Sequence, residues 1–298
     1  MNMVVSHWSA SLLVLAAAVA ATAAHLLGLR GLAAGAKRRR ERLPETLVRE
    51  AALFYSGLLA VLLALVSPVA YWAQRFIWIR SVQDLLLAIV APALIVLGAP
   101  WLVLRRGVRH STQEPETAAG EPQQALGWLR LPLAVTVAFN LAWCGWHLPV
   151  LYDAARAHWW VFACEVITYL GLGVLFWLQL IGSRPYVPRL APLRRVTLLV
   201  GTAAIGAVLA MVLVFGSAVL YPSYLSSQHH AASVVADQQV GGAVLWVLPL
   251  VPYFVATVAL LVRWLKDEES ADLATDLDRL LKPARSGWPS RPGLRSSR

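Results

Sequence analysis

Seven long apolar stretches dominate this chain, and each is long enough to cross a lipid bilayer. A transmembrane helix needs about 20 apolar residues, and lipid-embedded backbone must satisfy its hydrogen bonds internally. The chain is 58% hydrophobic and only 14% charged, whereas soluble domains carry about a quarter charged residues. The predicted spans are Trp8–Leu29, Ala51–Trp72, Val82–Leu104, Leu131–His147, Trp160–Ile181, Val196–Leu220 and Val240–Trp264. The sequence therefore predicts an all-α polytopic membrane protein, a bundle of seven transmembrane helices.

The basic residues give this bundle an orientation. Of 26 Lys and Arg residues, only Arg75, Arg80 and Arg156 fall in the loops that follow the second, fourth and sixth spans. Because Lys and Arg stay on the cytoplasmic side, we predict that the N-terminus lies outside and the C-terminus in the cytoplasm. This arrangement predicts a multi-pass protein of the inner (plasma) membrane whose first partner is the lipid bilayer. It also explains the net charge of +10 without nucleic acid.

The two ends of the chain are predicted as follows. The first span lacks a basic segment before it and has a basic cluster after it, so we interpret it as a retained helix and not a signal peptide. Residues 1–266 form the predicted seven-helix domain. Leucines with helical spacing predict an amphipathic helix over 267–283, with Ser270 as its N-cap. This helix lies on the inner membrane surface or docks on a cytoplasmic partner. Residues 284–298 are predicted to be a disordered basic tail.

Polar residues collect at the outer ends of the spans. Ionisable groups inside a membrane span are costly and indicate function, which singles out Asp84 and Glu165. For Asp84 the alternative is an ion pair with Arg80, one helical turn earlier. For Glu165 it is a structural hydrogen bond between helices. Asp237 is predicted to cap the seventh span.

A second group of outer residues has metal-binding chemistry. Cys144 precedes His147 by one helical turn, so both side chains can share a face. Imidazole suits copper and thiolate favours Cu(I). A disulfide between Cys144 and Cys164, or plain apolar packing of both, is the alternative. His147 can also simply cap its helix.

Four motifs, in this order along the chain, resemble the CtaG family of cytochrome c oxidase assembly factors. Span three has SVQDLLL at 81–87, VAPAL at 90–94 and LGAP at 97–100, similar to the family's H-M-x-Q-H-x-L-L, A-P-P-L and L-G-x-P. The other three are WHLP at 146–149 with LYDAA at 151–155, the span-five stretch from Glu165 to LFW at 175–177, and LYPSY at 220–224 with DQQ at 237–239. The resemblance runs from about residue 53 to residue 265.

The resemblance implies a role in maturing haem-copper oxidases, with copper handled at the outer face. It implies as partners a nascent oxidase subunit or a copper chaperone, and copper as cofactor. The expected metal ligands are His147, His158, Glu165, Asp153 and Cys144. Residues expected to bind partners or to support the structure are Arg80, Gln83, Asp84, Tyr152, Tyr221, Asp237 and Gln238.

The sequence departs from the family pattern at the positions that matter for metal. Arg80, Asp84 and Val166 stand where the family has histidine, and an arginine cannot bind a metal because it stays protonated. One alternative is therefore a divergent member that acts as a membrane scaffold without metal. A transporter, a receptor and an intramembrane hydrolase are weaker alternatives. The chain has no Gly-rich phosphate loop, H-E-x-x-H or G-x-S-x-G, so we expect no enzymatic activity.

Overall fold

The computed structural model describes residues 12–39, 46–101, 103–105, 131–228 and 230–286. These residues form helices joined by short connections, with an isolated antiparallel bridge between Ser183 and Tyr186. The α-helices are α1 Leu12–Arg39, α2 Thr46–Leu65, α3 Pro68–Ala73, α4 Ile77–Leu85, α5 Ala91–Leu97, α6 Pro132–Trp146, α7 Pro149–Ala157, α8 Trp159–Leu180, α9 Pro192–Phe215, α10 Leu225–Gln228, α11 Ala231–Val247 and α12 Leu250–Ser286. A π-helical turn, Leu86–Val90, joins α4 to α5, and a 3₁₀ turn, Pro222–Tyr224, precedes α10.

The prediction of an all-α polytopic membrane protein is confirmed. In the described part of the chain, six helices are long and apolar enough to span a membrane. A seventh span results if α6 and α7, which bend by 72° at His147–Leu148, are counted as one. Which end faces outside stays a prediction from the basic residues, and we refer to the end that carries His147 as the predicted outer end.

The third span, Ile77–Leu97, lies at the centre of the bundle. Within its most apolar stretch 67% of residues are buried inside the protein, against 11% for the first span. The predicted start of this span at Val82 was wrong, because the helix already begins at Ile77. Arg80 is consequently the fourth residue of the span and not part of a loop.

The π-helical turn has a local cause at Pro92. Proline lacks an N–H and its ring collides with the carbonyl four residues earlier, and the helix widens just before it. Helix α8 approaches this turn closely, since a Cβ at Gly173 would lie 2.5 Å from the Ala88 carbonyl oxygen. A π-turn inside a helix is often found at functional sites, and here it separates the polar half of the span from its apolar half.

The boundaries of the second and seventh spans also differ from the prediction. The second helix begins at Thr46 and ends at Leu65, because Pro68 starts a new helix and the Ser67 hydroxyl caps it by accepting the Val69 N–H at 3.1 Å. The seventh span begins nine residues earlier than expected, at Ala231, and breaks at Leu248–Pro249 before α12 continues.

The C-terminal helix also corrects the prediction for the tail. Helix α12 is continuous over 37 residues, from Leu250 to Ser286. Ser270 lies inside it and its hydroxyl donates to the Lys266 carbonyl at 2.8 Å, so Ser270 is not an N-cap. The helix predicted over 267–283 is therefore the extension of the last span. Residues 287–298, most of the predicted disordered tail, lie outside the described part, as do Trp8 and its neighbours at the start of the first predicted span.

Candidate functional site

Arg80 lies at the centre of a buried polar cluster that we define as Arg80, Gln83, Asp84, His147 and Glu165. All five side chains are buried. Because α4 turns one face toward the bundle interior, Arg80, Gln83 and Asp84, spaced by three and four residues, point the same way. Helix α8 contributes Glu165, and His147 comes from the bend between α6 and α7.

The guanidinium of Arg80 contacts three partners. Its Nη2 donates to the Glu165 carboxylate in a short, buried ion pair, and its Nη1 donates to Gln83 Oε1 at 3.3 Å. Its Nε lies 3.3 Å from Asp84 Oδ1, close enough for an ion pair but without hydrogen-bond alignment. The predicted Arg80–Asp84 pair is thus confirmed. Glu165 does bond between helices, and its partner Arg80 is one that the sequence did not indicate.

Aromatic rings enclose the guanidinium. The Arg80 Cζ atom lies 4.8 Å from the centre of the Phe162 ring and 5.6 Å from that of Tyr152. Both distances fall within the range in which a cation is attracted to a π-system. Gln83 closes the cluster toward the second helix by donating from Nε2 to the Ala64 carbonyl at 2.7 Å. Arg80 is therefore fixed on several sides.

His147 presents one nitrogen to this cluster. Its Nδ1 lies 2.8 Å from the Trp143 carbonyl oxygen, and because a carbonyl only accepts, Nδ1 carries the proton. In the neutral ring Nε2 is then an acceptor, and it lies 3.9 Å from Asp84 Oδ2. His147 ends helix α6 as its C-cap residue, as the capping alternative predicted, while its ring faces the carboxylate of Asp84.

Three tyrosines cover the cluster at the predicted outer end. Tyr221 donates to the His147 carbonyl at 3.0 Å and Tyr224 to the Ala73 carbonyl at 2.8 Å. Tyr152 stacks on Tyr221 with ring centres 4.0 Å apart. Burial raises the pKa of Tyr221 and the pKa of Tyr224, so both hydroxyls stay protonated and keep donating. These contacts tie the segment after α9 to the bend at His147.

Asp237 was predicted to cap the seventh span, and this prediction was wrong. It lies within α11 and does not cap its own helix. Its carboxylate instead accepts the backbone N–H groups of Ile77 at 2.6 Å and Trp78 at 3.2 Å, the first two residues of α4. It also accepts from Gln228 at 2.6 Å. A carboxylate at a helix N-terminus is favourable because it satisfies free donors and matches the helix dipole. Asp237 therefore anchors the helix that carries Arg80.

Gln238, the next residue, has a structural role as well. Its Oε1 accepts the Leu220 backbone N–H at 2.9 Å. The side chain is buried against the segment that leads from α9 to Tyr221. Together Asp237 and Gln238 link α11 to the start of α4 and to the segment that leads to Tyr221.

Among the described residues, the remaining candidate ligands do not join the cluster in a metal-binding group. Asp153 accepts a hydrogen bond from the Ser223 hydroxyl at 2.6 Å. His158 is exposed at the start of α8, where its ring stacks near Trp160. Cys144 is half-buried and Cys164 exposed, and both are free thiols.

Arg156 has a structural role that the sequence did not indicate. Its Nε and Nη2 both donate to the Gln74 carbonyl, and its Nη1 donates to the Ser223 carbonyl at 2.8 Å. Its guanidinium also lies 4.7 Å from the centre of the Tyr224 ring. It joins three segments at the predicted outer end that are far apart in sequence. Its isolation among the predicted outer loops, which hold few basic residues, was the signal that could have found it.

Copper, which the resemblance implies, does not fit this arrangement. Among the described residues no group of three or more His, Cys, Asp and Glu side chains is placed to hold a metal ion. The expected set of five ligands is therefore not brought together. Glu165 and Asp84 are engaged by the permanently charged Arg80, and Cu(I) prefers sulfur ligands over carboxylates.

The fold and the cluster define a class: a multi-span α-helical membrane protein with a buried charged cluster near one end. Residues 29–267 match the Caa3_CtaG family, described as the cytochrome c oxidase caa3 assembly factor. The match covers most of the chain, and the chain belongs to this family.

The curated relatives that match are mycobacterial. Uncharacterized proteins of Mycobacterium bovis and Mycobacterium tuberculosis are each 25% identical over 252 residues, which covers 80% of this chain and 37% of theirs. An uncharacterized protein of Mycobacterium leprae is 25% identical over 238 residues, or 74% of this chain and 35% of its own length. The chain thus spans little more than a third of these relatives. No solved structure matches it significantly.

Proposed function

We propose that this chain supports the assembly of a cytochrome c oxidase as a scaffold in the plasma membrane, where it holds a nascent oxidase subunit. Membership of the assembly-factor family supports the oxidase as the target. The observation that favours a scaffold over a metal carrier is the buried ion pair between Arg80 and Glu165. In this pair, a carboxylate that could have bound a metal binds the guanidinium instead.

The connections around the cluster support a holding role. Helix α4 is anchored at its start by Asp237, and its charged face is tied to α8 through Glu165. Tyr221, Tyr224 and Arg156 then fasten the connections that cover this end. A preorganised surface binds at a lower entropic cost than a flexible one. The predicted outer end therefore offers a rigid platform to a partner in the same membrane.

We infer further that the chain acts without catalysis. In the described part, the free nitrogen of His147 faces Asp84, and not a serine or cysteine that a base could activate. The resemblance also implies copper handling, with a copper chaperone as partner, and this is the alternative that the experiments must separate from the scaffold.

The first test is genetic. In cells that lack this chain, the unaltered protein should restore oxidase haem, measured by reduced-minus-oxidised difference spectra, and oxygen consumption. His147→Ala should restore much less, because it removes the ring that faces Asp84, while immunoblots show the protein still in the membrane. Full oxidase activity with His147→Ala would argue against this end of the bundle as the functional site.

The second test asks for the partner. Chemical cross-linking in membranes, followed by purification of this chain, should recover an oxidase subunit. Leu13→Ala, on the exposed face of the first span, is the matched control and should recover as much as the unaltered protein. Recovery of a copper chaperone without any oxidase subunit would favour the copper-handling alternative.

A further inference from the structure

The cluster around Arg80 combines carboxylate and imidazole side chains, the types that bind metals, with a cation that belongs to the protein. Asp84 and Glu165 direct carboxylates at the guanidinium, and the imidazole of His147 lies behind Asp84. Several acceptor atoms are left without a hydrogen bond inside the described part of the chain. They are both oxygens of Asp84, Glu165 Oε1 and His147 Nε2.

The buried carboxylates among these acceptors are stabilised by a positive charge close by. Burying a carboxylate away from water is expensive unless a cation compensates it. Two carboxylates and an imidazole are also ligands that Zn²⁺ takes in proteins. The only cation that the described structure places between Asp84 and Glu165 is the guanidinium of Arg80.

We propose that the guanidinium of Arg80 takes the place of a metal ion, so that this cluster is a cation site whose cation is supplied by the chain itself. The proposal deepens the scaffold function, because a cluster that carries its own cation folds and acts without metal. It concerns the purified protein alone, so its failure would not by itself exclude a role in oxidase assembly.

Position 80 is suited to a test in which a metal-binding side chain replaces the guanidinium. Residues four apart on a helix lie on one face, so a histidine at position 80 would point its imidazole toward Asp84. With Glu165 and His147 it would complete a set of two nitrogens and two carboxylates, which is a tetrahedral zinc set in number and type. Replacing Arg80 therefore both removes the resident cation and adds a ligand.

The first experiment measures metal binding by the unaltered protein, with His147→Ala as its control. The protein is purified in detergent, incubated with Zn²⁺ alone or with Cu(I) alone, desalted, and analysed for metal by mass spectrometry. We expect far less than one ion per chain in both cases, and an unfolding temperature that a chelator does not change. A near-stoichiometric ion that survives desalting and is lost with His147→Ala would overturn the proposal.

The second experiment converts the site. Arg80→His should gain close to one Zn²⁺ per chain, and its unfolding temperature should rise with Zn²⁺ and fall with chelator. Arg80→Lys, which keeps a cation at this position, and Arg80→His/Asp84→Asn, which loses a ligand, are matched controls that should bind little. A folded Arg80→His that binds no more Zn²⁺ than the unaltered chain would contradict the proposal. If Arg80→His does not fold, the metal measurements on the unaltered protein still test the proposal.

Discussion

The third span and the first span of this bundle are both apolar helices, but they are built for opposite surroundings. The third is enclosed by its neighbours and buries Arg80, Gln83 and Asp84 within its first turns. The first is mostly exposed and contacts α2. Its buried polar residue His25 lies with Nδ1 3.0 Å from the Tyr55 hydroxyl. Polar groups within the spans thus concentrate where other side chains can form hydrogen bonds or ion pairs with them. This is expected because an unpaired polar group in lipid has a high free energy.

The largest expected effect lies in the buried ion pair. Glu165→Ala leaves Arg80 without its ion-pair partner on α8, and breaking a buried pair in this way costs about 3–5 kcal/mol. We expect a large fall in the unfolding temperature in detergent, which circular dichroism measures. Leu13→Ala in the first span should change stability by less than about 0.5 kcal/mol. Equal losses for both variants would remove the contrast between the two spans.

A second prediction concerns coupling within the cluster. Arg80→Gln and Asp84→Asn should be non-additive, because each removes the same ion pair. Residues in one charged network show interaction energies of about 0.5–3 kcal/mol. A double-mutant cycle on the free energy of unfolding measures this energy directly. Additive losses would show that Asp84 does not depend on Arg80.

The cap of the third span gives a smaller effect. Asp237→Ala removes the carboxylate that accepts the Ile77 and Trp78 N–H groups, and the loss of a helix cap costs about 0.5–2 kcal/mol. Asp237→Asn keeps one oxygen acceptor and should lose less. The free energy of unfolding of the two variants gives the comparison, and an Asn variant as damaged as the Ala variant would count against capping as the role of this residue.

The smallest expected effect belongs to Tyr221. Tyr221→Phe removes the hydrogen bond to the His147 carbonyl and keeps the stacking on Tyr152, so we expect a loss of about 1 kcal/mol. Tyr221→Leu removes the ring as well and should cost more. If Tyr221→Phe has no effect on the unfolding temperature, this hydroxyl does not help to fix the bend at His147.

The sequence predicts those parts of this molecule that depend on local spacing. Apolar length predicts the spans, and the separation of four residues predicts the Arg80–Asp84 pair. Contacts between distant segments could not be predicted in this way. Arg80 and Glu165 are 85 residues apart, and Asp237 caps a helix that lies 160 residues earlier in the chain. Neither leaves a periodic signal.

The boundaries were missed for a related reason. Apolar content shows where a span can lie, while its ends depend on capping contacts, such as those of Ser67 and Asp237. The start of the third span was placed after Arg80 because charged residues usually mark a loop. Here the charged residue lies inside the helix because it pairs with Glu165 and contacts the ring of Phe162.

We propose that the cluster around Arg80 serves oxidase assembly as a structural element and not as a copper carrier. The most direct test measures oxidase haem and oxygen consumption in cells that carry His147→Ala, at low copper and with added copper. We predict that oxidase stays low at both copper levels. Restoration of the oxidase by added copper would contradict the account and show that this site handles the metal.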